Sequence, residues 1–169
     1  MRNKFFLTYI ILLIAQLMIS NYFNLGAYVM LSILPIMVLC IPAGVGTIAA
    51  MFIAFATGLA TDFLSEGIVG LNALALVPVA FIRKTVLCFV FGEEIIVRNE
   101  NFSIRKNGLG KVAVAVLIAQ SLFLLIYIIA DGVLTRSFLF FIGRFLASIA
   151  AGVLISIAIV DIIDDNDRR

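Results

Sequence analysis

The residues that could carry out chemistry in this chain are few and widely spaced. There is no His, and carboxylates adjoin one another only as Glu93-Glu94 and in an acidic tail that begins at Asp161. Neighbours in sequence point to different sides of a helix, so Glu93-Glu94 predicts a hydrated helix surface rather than an acid–base pair. Cys40 and Cys88 lie in separate apolar runs and lack the close spacing of metal ligands. We therefore expect no enzyme activity, no catalytic residue, no cofactor and no metal site.

One carboxylate lies at the end of a long apolar run. Asp62 is followed by a turn with Gly67 and Gly70, and the next apolar run begins immediately afterwards with Leu71-Asn72. Carboxylates near membrane depth are often functional. Three roles stay open for Asp62: a cap or structural pair, which the adjoining turn favours, a contact with a partner or ligand, and a proton relay.

A second charge, Arg144, lies inside the last apolar run. A buried guanidinium is costly unless it is paired or reaches water. Arg144 can therefore extend to the membrane surface, pair with Asp62 or Asp131, or bind an anionic ligand. Uncharged polar residues within the runs, such as Gln16 and Gln120, are expected to join helices. The candidate partner-binding or structural polar residues are Asn21, Asp62, Asn72, Arg83 and Arg144.

Membrane-spanning helices must position these residues. Of the 169 residues, 64% are apolar and 13% are charged, and the mean hydropathy is +1.22. A soluble domain is about 45–50% apolar and about 25% charged, so this composition excludes a soluble globule, a disordered chain and a disulfide scaffold. Because a transmembrane helix uses about 20 residues, we predict an all-α membrane protein. About six transmembrane helices would form one bundle, a single polytopic domain over residues 1–169.

Six apolar stretches are predicted to form these helices: Phe5–Ser20, Gly26–Ile41, Val45–Leu64, Leu71–Phe91, Leu109–Ala130 and Phe138–Val160. The second and third are separated by Pro42, Gly44 and Gly46 without any charge. They form either a tight hairpin within the membrane or one kinked unit. The first stretch follows a basic start, as a signal peptide does, but it has no small-residue cleavage site and is expected to remain as a helix.

The basic residues predict the orientation. Ten of the 12 Lys and Arg residues lie at the two termini or between Arg83 and Lys111, which an even number of spans places on one side. The positive-inside rule then puts both termini in the cytoplasm. Residues 92–108 are expected to form a cytoplasmic loop, with a short interfacial helix over Glu93–Arg98, and residues 161–169 a cytoplasmic tail.

Two stretches carry small residues at four-residue spacing, which places them on one helix face. Such faces let helix backbones approach closely, within one chain or between chains. The helix-packing residues are therefore expected to be Ala50, Ala54 and Gly58 in the third stretch and Gly143, Ala147 and Ala151 in the sixth.

Several of these positions lie in sequence motifs that are similar to those of a known protein family. The pattern comprises Gln16–Asn21, Gly58-Leu-Ala-Thr-Asp62, Gly70-Leu-Asn72-Ala-Leu-Ala and Arg83. In these motifs, and in length and six-span hydropathy over essentially the whole chain, the sequence resembles the rod-shape-determining protein MreD family of bacteria. The charged segment Gly92–Gly108 is longer than in a typical member.

The resemblance implies a non-catalytic component of the cell-elongation machinery in the inner membrane. Such a protein binds the bitopic membrane protein MreC and, through it, MreB filaments and peptidoglycan synthases. The family is also similar in fold to the substrate-binding S-components of vitamin transporters, so two functions remain: a scaffold, or an S-component of an energy-coupling-factor transporter. Sparse polar groups on the periplasmic side and the bulky first stretch favour the scaffold.

Overall fold

The computed structural model describes residues 2–22, 30–65, 68–92, 102, 104–131 and 138–166. Regular secondary structure in these ranges is entirely helical: α1 Arg2–Tyr22, α2 Leu34–Leu39, α3 Thr47–Leu64, α4 Leu71–Phe91, α5 Ile104–Asn107, α6 Leu109–Ala130 and α7 Phe138–Asn166. Four of these helices, α3, α4, α6 and α7, are long and apolar enough to cross a membrane, and α1 contributes a shorter apolar segment. The predicted class, a helical membrane protein, is confirmed.

The long helices pack around a short one. α4 packs against both α3 and α6, and α6 packs against α7. The short helix α2 lies among α1, α3, α4 and α6, and each of its residues is buried. Its sequence, Leu34-Pro-Ile-Met-Val-Leu39, is apolar on all sides, which is typical of a helix enclosed by others. The centre of the bundle is therefore filled by α2 rather than by a full-length helix.

Two hydrogen bonds establish that α1 and α3 run in the same direction. The Tyr9 hydroxyl lies 2.8 Å from Thr57 Oγ1, and Asn21 Nδ2 lies 3.5 Å from the Leu64 carbonyl oxygen. Both helices therefore advance toward the same end of the bundle. The chain must return to the opposite end before α3 begins at Thr47, and α2 lies on this return.

The second predicted stretch, Gly26–Ile41, differs most from expectation. In its described part only α2 is helical, and a helix of 6 residues is about 9 Å long against a hydrocarbon core of about 30 Å. Pro35 stands in the first turn of α2, and Pro42 disfavours helical backbone at the residue before it. Pro35 is tolerated because it stands in the first turn of α2, and Pro42 prevents the helix from continuing far beyond Leu39.

The sequence left two arrangements open for the second and third stretches, a tight hairpin or one kinked unit. The turn after α2 is that of a hairpin. Val45 N donates to the Pro42 carbonyl at 3.0 Å, which closes a tight turn, and Gly46 precedes the first residue of α3. The remaining helix bounds agree with prediction within three residues, except that α7 continues beyond Val160 to Asn166. The apolar composition of a stretch predicts where the helix leaves the membrane. It does not predict where the helix ends, because a helix can continue in water beyond the membrane surface.

The polar segment 92–108 contains the short helix α5 and the buried Phe102, whose ring packs edge-on against Phe91 at 5.7 Å. The interfacial helix predicted over Glu93–Arg98 and the end of the tail, residues 167–169, lie outside the described residues.

Candidate functional site

Asp62 caps the beginning of α4 from the last turn of α3. Its Oδ2 accepts hydrogen bonds from Gly70 N at 2.9 Å and Ala73 N at 3.4 Å. Its Oδ1 accepts from Asn72 N at 3.1 Å and from Asn72 Nδ2 at 2.8 Å. The first amides of a helix have no partner within the helix, and an acidic group is favourable beside them. Of the three roles open to Asp62, its hydrogen bonds are those of a cap.

This cap is possible because α3 and α4 approach very closely one turn away. A Cβ added to Gly58 would lie 2.5 Å from Ala73 Cα, so even Ala does not fit there without moving the backbone. Ala50 and Ala54 are completely buried on the same side of α3. The small-residue face of α3 therefore packs helices within this chain.

The small-residue face of α7 has the opposite environment. Gly143 and Ala147 are exposed and Ala151 is half-buried, and a Cβ added to Gly143 would meet nothing within 4 Å. Ala150 extends the exposed small residues by another turn. Within the described part of the chain, no other helix covers this face.

Exposed aromatic residues stand on the outward faces of α3 and α4. Phe52, Phe55 and Phe63 lie outward on α3, and Phe81 and Phe89 on α4. On α7 the exposed Leu146 lies beside the small residues, and the exposed Leu154 lies one turn beyond Ala150 on the same face. The strip of exposed small residues formed by Gly143, Ala147 and Ala150, from which no large side chain projects, is called the α7 groove below.

A belt of polar side chains holds the non-helical backbone that precedes α2. Gln16 Oε1 on α1 accepts from Ile33 N at 2.7 Å, and Ser148 Oγ on α7 accepts from Met30 N at 2.9 Å. Gln120 Nε2 on α6 donates to the Ser32 carbonyl at 3.3 Å. Non-helical backbone at membrane depth requires such internal partners because lipid supplies none.

Two atoms of this region remain without a hydrogen-bond partner among the described residues. They are Gln120 Oε1 and Ser156 Oγ, and both residues are completely buried. Gly152 lies one turn from Ser156 on the same face of α7, and a Cβ there would lie 2.3 Å from Gln120 Nε2. The absence of a side chain at Gly152 thus provides the room that Gln120 occupies.

Arg83 lies at the other end of α2. Among the described residues it is the largest side chain that is fully buried, and one terminal guanidinium nitrogen donates to the Ile41 carbonyl. Nε and Nη1 have no partner in the part of the chain that the structure describes. Ile41 follows α2 closely, where helical carbonyls favour a cation.

Arg144 forms an ion pair with Asp131. Its Nη1 lies 2.9 Å from Asp131 Oδ2, and the two side chains are 13% and 28% exposed. Pairing was one of the roles that the sequence left open for Arg144, and Asp131 rather than Asp62 supplies the carboxylate. The pair joins the end of α6 to the first half of α7.

The structure does not bring the polar candidates together into one site. Asp62 and Asn72 share one cluster, which Asn21 adjoins through Leu64, whereas Arg83 and Arg144 each lie apart from it. Sequence reasoning missed Ser32 and Ser148 as contacts of the return segment. The four-residue spacing of Ser148, Gly152 and Ser156 opposite Gln120 was the available signal.

No group of three or more Cys, Asp and Glu residues that could hold a metal ion occurs among the described positions. The structure defines a polytopic helical membrane protein with an exposed groove on α7 and a short, buried helix at its centre. No family model, curated protein or solved structure matches the chain.

Proposed function

We propose that this protein is a non-catalytic scaffold of the bacterial cell-elongation machinery. It binds an MreC-like bitopic membrane protein and thereby connects MreB-like filaments to the synthases that make peptidoglycan. The protein would reside in the inner membrane with six crossings and both termini in the cytoplasm. The proposal combines the sequence resemblance with one structural observation, the α7 groove.

The small, exposed side chains of the α7 groove support the proposal, because close packing of a single transmembrane helix requires them. Lipid is as apolar as leucine, so helices associate in a membrane through close packing rather than through the hydrophobic effect. Gly143 and Ala147 would allow a second backbone to approach, and the exposed Leu146 would give contact at the side. A bitopic partner presents one such helix, and its periplasmic domain then has a fixed position relative to the bundle.

Co-purification tests this proposal. Ala147→Leu fills the α7 groove, so we expect it to abolish recovery of a bitopic partner and of cell-wall synthases by affinity purification in mild detergent. Because Ala147 is exposed, the variant should fold as the wild type does. Ala56→Leu is the matched control, since Ala56 is an exposed alanine on α3. Equal recovery of the partner with both variants would contradict the groove as its binding surface.

The alternative function, a substrate-binding S-component of an energy-coupling-factor vitamin transporter, has support from a different observation. Interrupted crossings with buried polar groups are typical of transporters, and Gln120 Oε1 and Ser156 Oγ lack partners near such an interruption. Most polar groups of the belt already bond to backbone, however, and few remain for a substrate. Recovery of ATPase subunits with a transmembrane coupling protein, in place of the synthases, would establish this alternative.

A further inference from the structure

The buried cation Arg83 forms no ion pair with a carboxylate in the described ranges. Its side chain is 1% exposed, one terminal nitrogen donates to the Ile41 carbonyl, and two nitrogens have no hydrogen-bond partner there. A guanidinium in an apolar interior is costly without a counter-charge. Among the described residues, the acidic group that interacts electrostatically with Arg83 is the thiol of Cys40.

Cys40 adjoins Arg83 at the end of α2. It follows Leu39, the last residue of α2, and its amide donates to the Ile36 carbonyl at 2.9 Å. The next residue is Ile41, whose carbonyl accepts the hydrogen bond from Arg83. This hydrogen bond holds the guanidinium one residue away from the cysteine, so the position of the cation does not depend on the electrostatic interaction alone.

Cys40 is also partly exposed. It is half-buried and carries a thiol rather than a disulfide, and Gly44 and Gly46 in the turn that follows it are exposed. The predicted orientation places this end of the bundle in the cytoplasm. The thiols and disulfides of small molecules exchange with accessible protein thiols in that compartment.

The helices packed against α2 contain few groups that could oppose a negative charge at Cys40. Their titratable and charged residues are Arg2, Lys4, Tyr9 and Tyr22 on α1, Asp62 on α3, Arg83, Lys84 and Cys88 on α4, and Lys111 and Tyr127 on α6. Of these, Tyr9 and Arg83 interact electrostatically with Cys40, and a phenol is neutral at neutral pH. The carboxylate of this set, Asp62, is 15 residues beyond the start of α3, about 22 Å away along the helix.

A buried cation next to a partly exposed cysteine is an arrangement that activates the sulfur. A neighbouring Arg or Lys favours the thiolate, which is the nucleophilic form of the side chain. Arg keeps its charge at neutral pH, and two opposite charges attract more strongly in an apolar interior than in water. Arg83 thus favours the thiolate of Cys40, and the thiolate in turn supplies the counter-charge that Arg83 otherwise lacks.

We propose that Cys40 is a reactive thiolate, stabilised by Arg83, that small disulfides modify by thiol–disulfide exchange. The thiolate attacks one sulfur of the small disulfide, so that a new S–S bond forms to Cys40 while the S–S bond of the small molecule breaks. The electron pair of the broken bond leaves on the second sulfur as a thiolate, which takes a proton from water. The number of disulfide bonds is unchanged, and a small thiol reverses the step. This site is independent of the scaffold function.

The second cysteine of the chain is the matched control. Cys88 is also a half-buried thiol, and it lies five residues after Arg83 on α4, which places it on a different side of that helix. Cys88→Ser leaves Cys40 as the one reactive thiol, and Cys40→Ser leaves Cys88. Both variants are compared as the folded full chain in neutral detergent.

The measurement is the rate at which hydroxyethyl disulfide forms a mixed disulfide, followed by intact mass spectrometry between about pH 6 and about pH 8, below the usual titration range of cysteine. Each rate is divided by the rate of the same cysteine at the upper pH, so that a difference in exposure cancels. We expect the rate at Cys88 to fall about a hundredfold as the thiolate is protonated, and the rate at Cys40 to fall less than about tenfold.

Two substitutions of Arg83, each combined with Cys88→Ser, test its part in the reaction. Arg83→Lys keeps a cation and should keep the shallow pH dependence at Cys40, whereas Arg83→Gln should make it as steep as that of Cys88. A Cys40 that does not react, an equal pH dependence at the two cysteines, or an unchanged dependence in Arg83→Gln would overturn the proposal. If Arg83→Gln does not fold, the comparison of the two cysteines decides the question.

Discussion

The small residues of α3 and those of α7 follow the same spacing but have opposite environments. On α3, Ala50 and Ala54 are completely buried, and Gly58 contacts the backbone of α4. On α7, Gly143 and Ala147 are exposed. The small-residue face of α3 is thus buried within the bundle, whereas the small-residue face of α7 is exposed. The proposed partner is therefore assigned to α7.

The difference shows that a small-residue motif by itself specifies close approach but not what approaches. On α3 the motif is followed by Asp62, whose carboxylate bonds to the beginning of α4 and fixes that helix against the face. On α7 the Arg144 side chain pairs with Asp131 on α6 and thereby turns the neighbouring Gly143 outward. The polar residue beside each motif therefore fixes the helix that carries it relative to its neighbour.

The largest effect is expected from Gly58→Ile. The new side chain would overlap the backbone of Ala73, and because backbone cannot move aside as a flexible side chain does, the free energy of unfolding should fall by about 3 kcal/mol or more. Thermal unfolding in detergent and the yield of monodisperse protein measure it. A stably folded Gly58→Ile variant that still recovers its partner would count against the inward packing of α3.

A smaller loss of stability is expected from Asp62→Asn. The amide keeps one acceptor oxygen but presents N–H groups to two of the four donors, so stability should fall by about 2 kcal/mol. Partner recovery and rod shape should persist at a temperature where the variant is folded. Loss of rod shape with normal amounts of folded protein would instead indicate that Asp62 contacts a partner or relays protons.

Arg144→Gln is expected to cost about 1 kcal/mol, because the ion pair with Asp131 is partly exposed. Without the pair, α7 should also rotate more freely and hold its groove outward less firmly. A double-mutant cycle with Asp131→Asn separates the interaction energy of the ion pair from the effects of changing each side chain alone. Additive effects of the two substitutions would show that the pair itself contributes nothing to the free energy of unfolding.

The smallest effect on stability is expected from Gly143→Ile, which changes the same residue type as Gly58→Ile on the outward face. With open space around its Cβ, the free energy of unfolding should change by no more than about 0.5 kcal/mol. Partner recovery should nevertheless be lost. A destabilisation as large as that of Gly58→Ile would show that α7 is covered within the chain.

Much of the fold followed from local properties of the sequence. The bounds of α4 and α6 agree with the apolar stretches because an apolar run of about 20 residues between polar turns has the length of a membrane-spanning helix, which satisfies its own backbone hydrogen bonds. The turn near Gly70 likewise placed Asp62 next to the helix it caps. The short helix α2 was not predicted, since its length depends on two prolines and on partners from α1, α6 and α7 that lie far away in sequence.

The sequence by itself determined that this is a helical membrane protein and which of its residues are small, polar or charged. The tertiary structure decided which small face is buried, which carboxylate pairs with Arg144, and that Arg83 donates to the Ile41 carbonyl after α2. The physical reason is that lipid and protein interior are equally apolar. A membrane helix therefore carries little sequence signal for which side faces inward, and only packing against its neighbours specifies it.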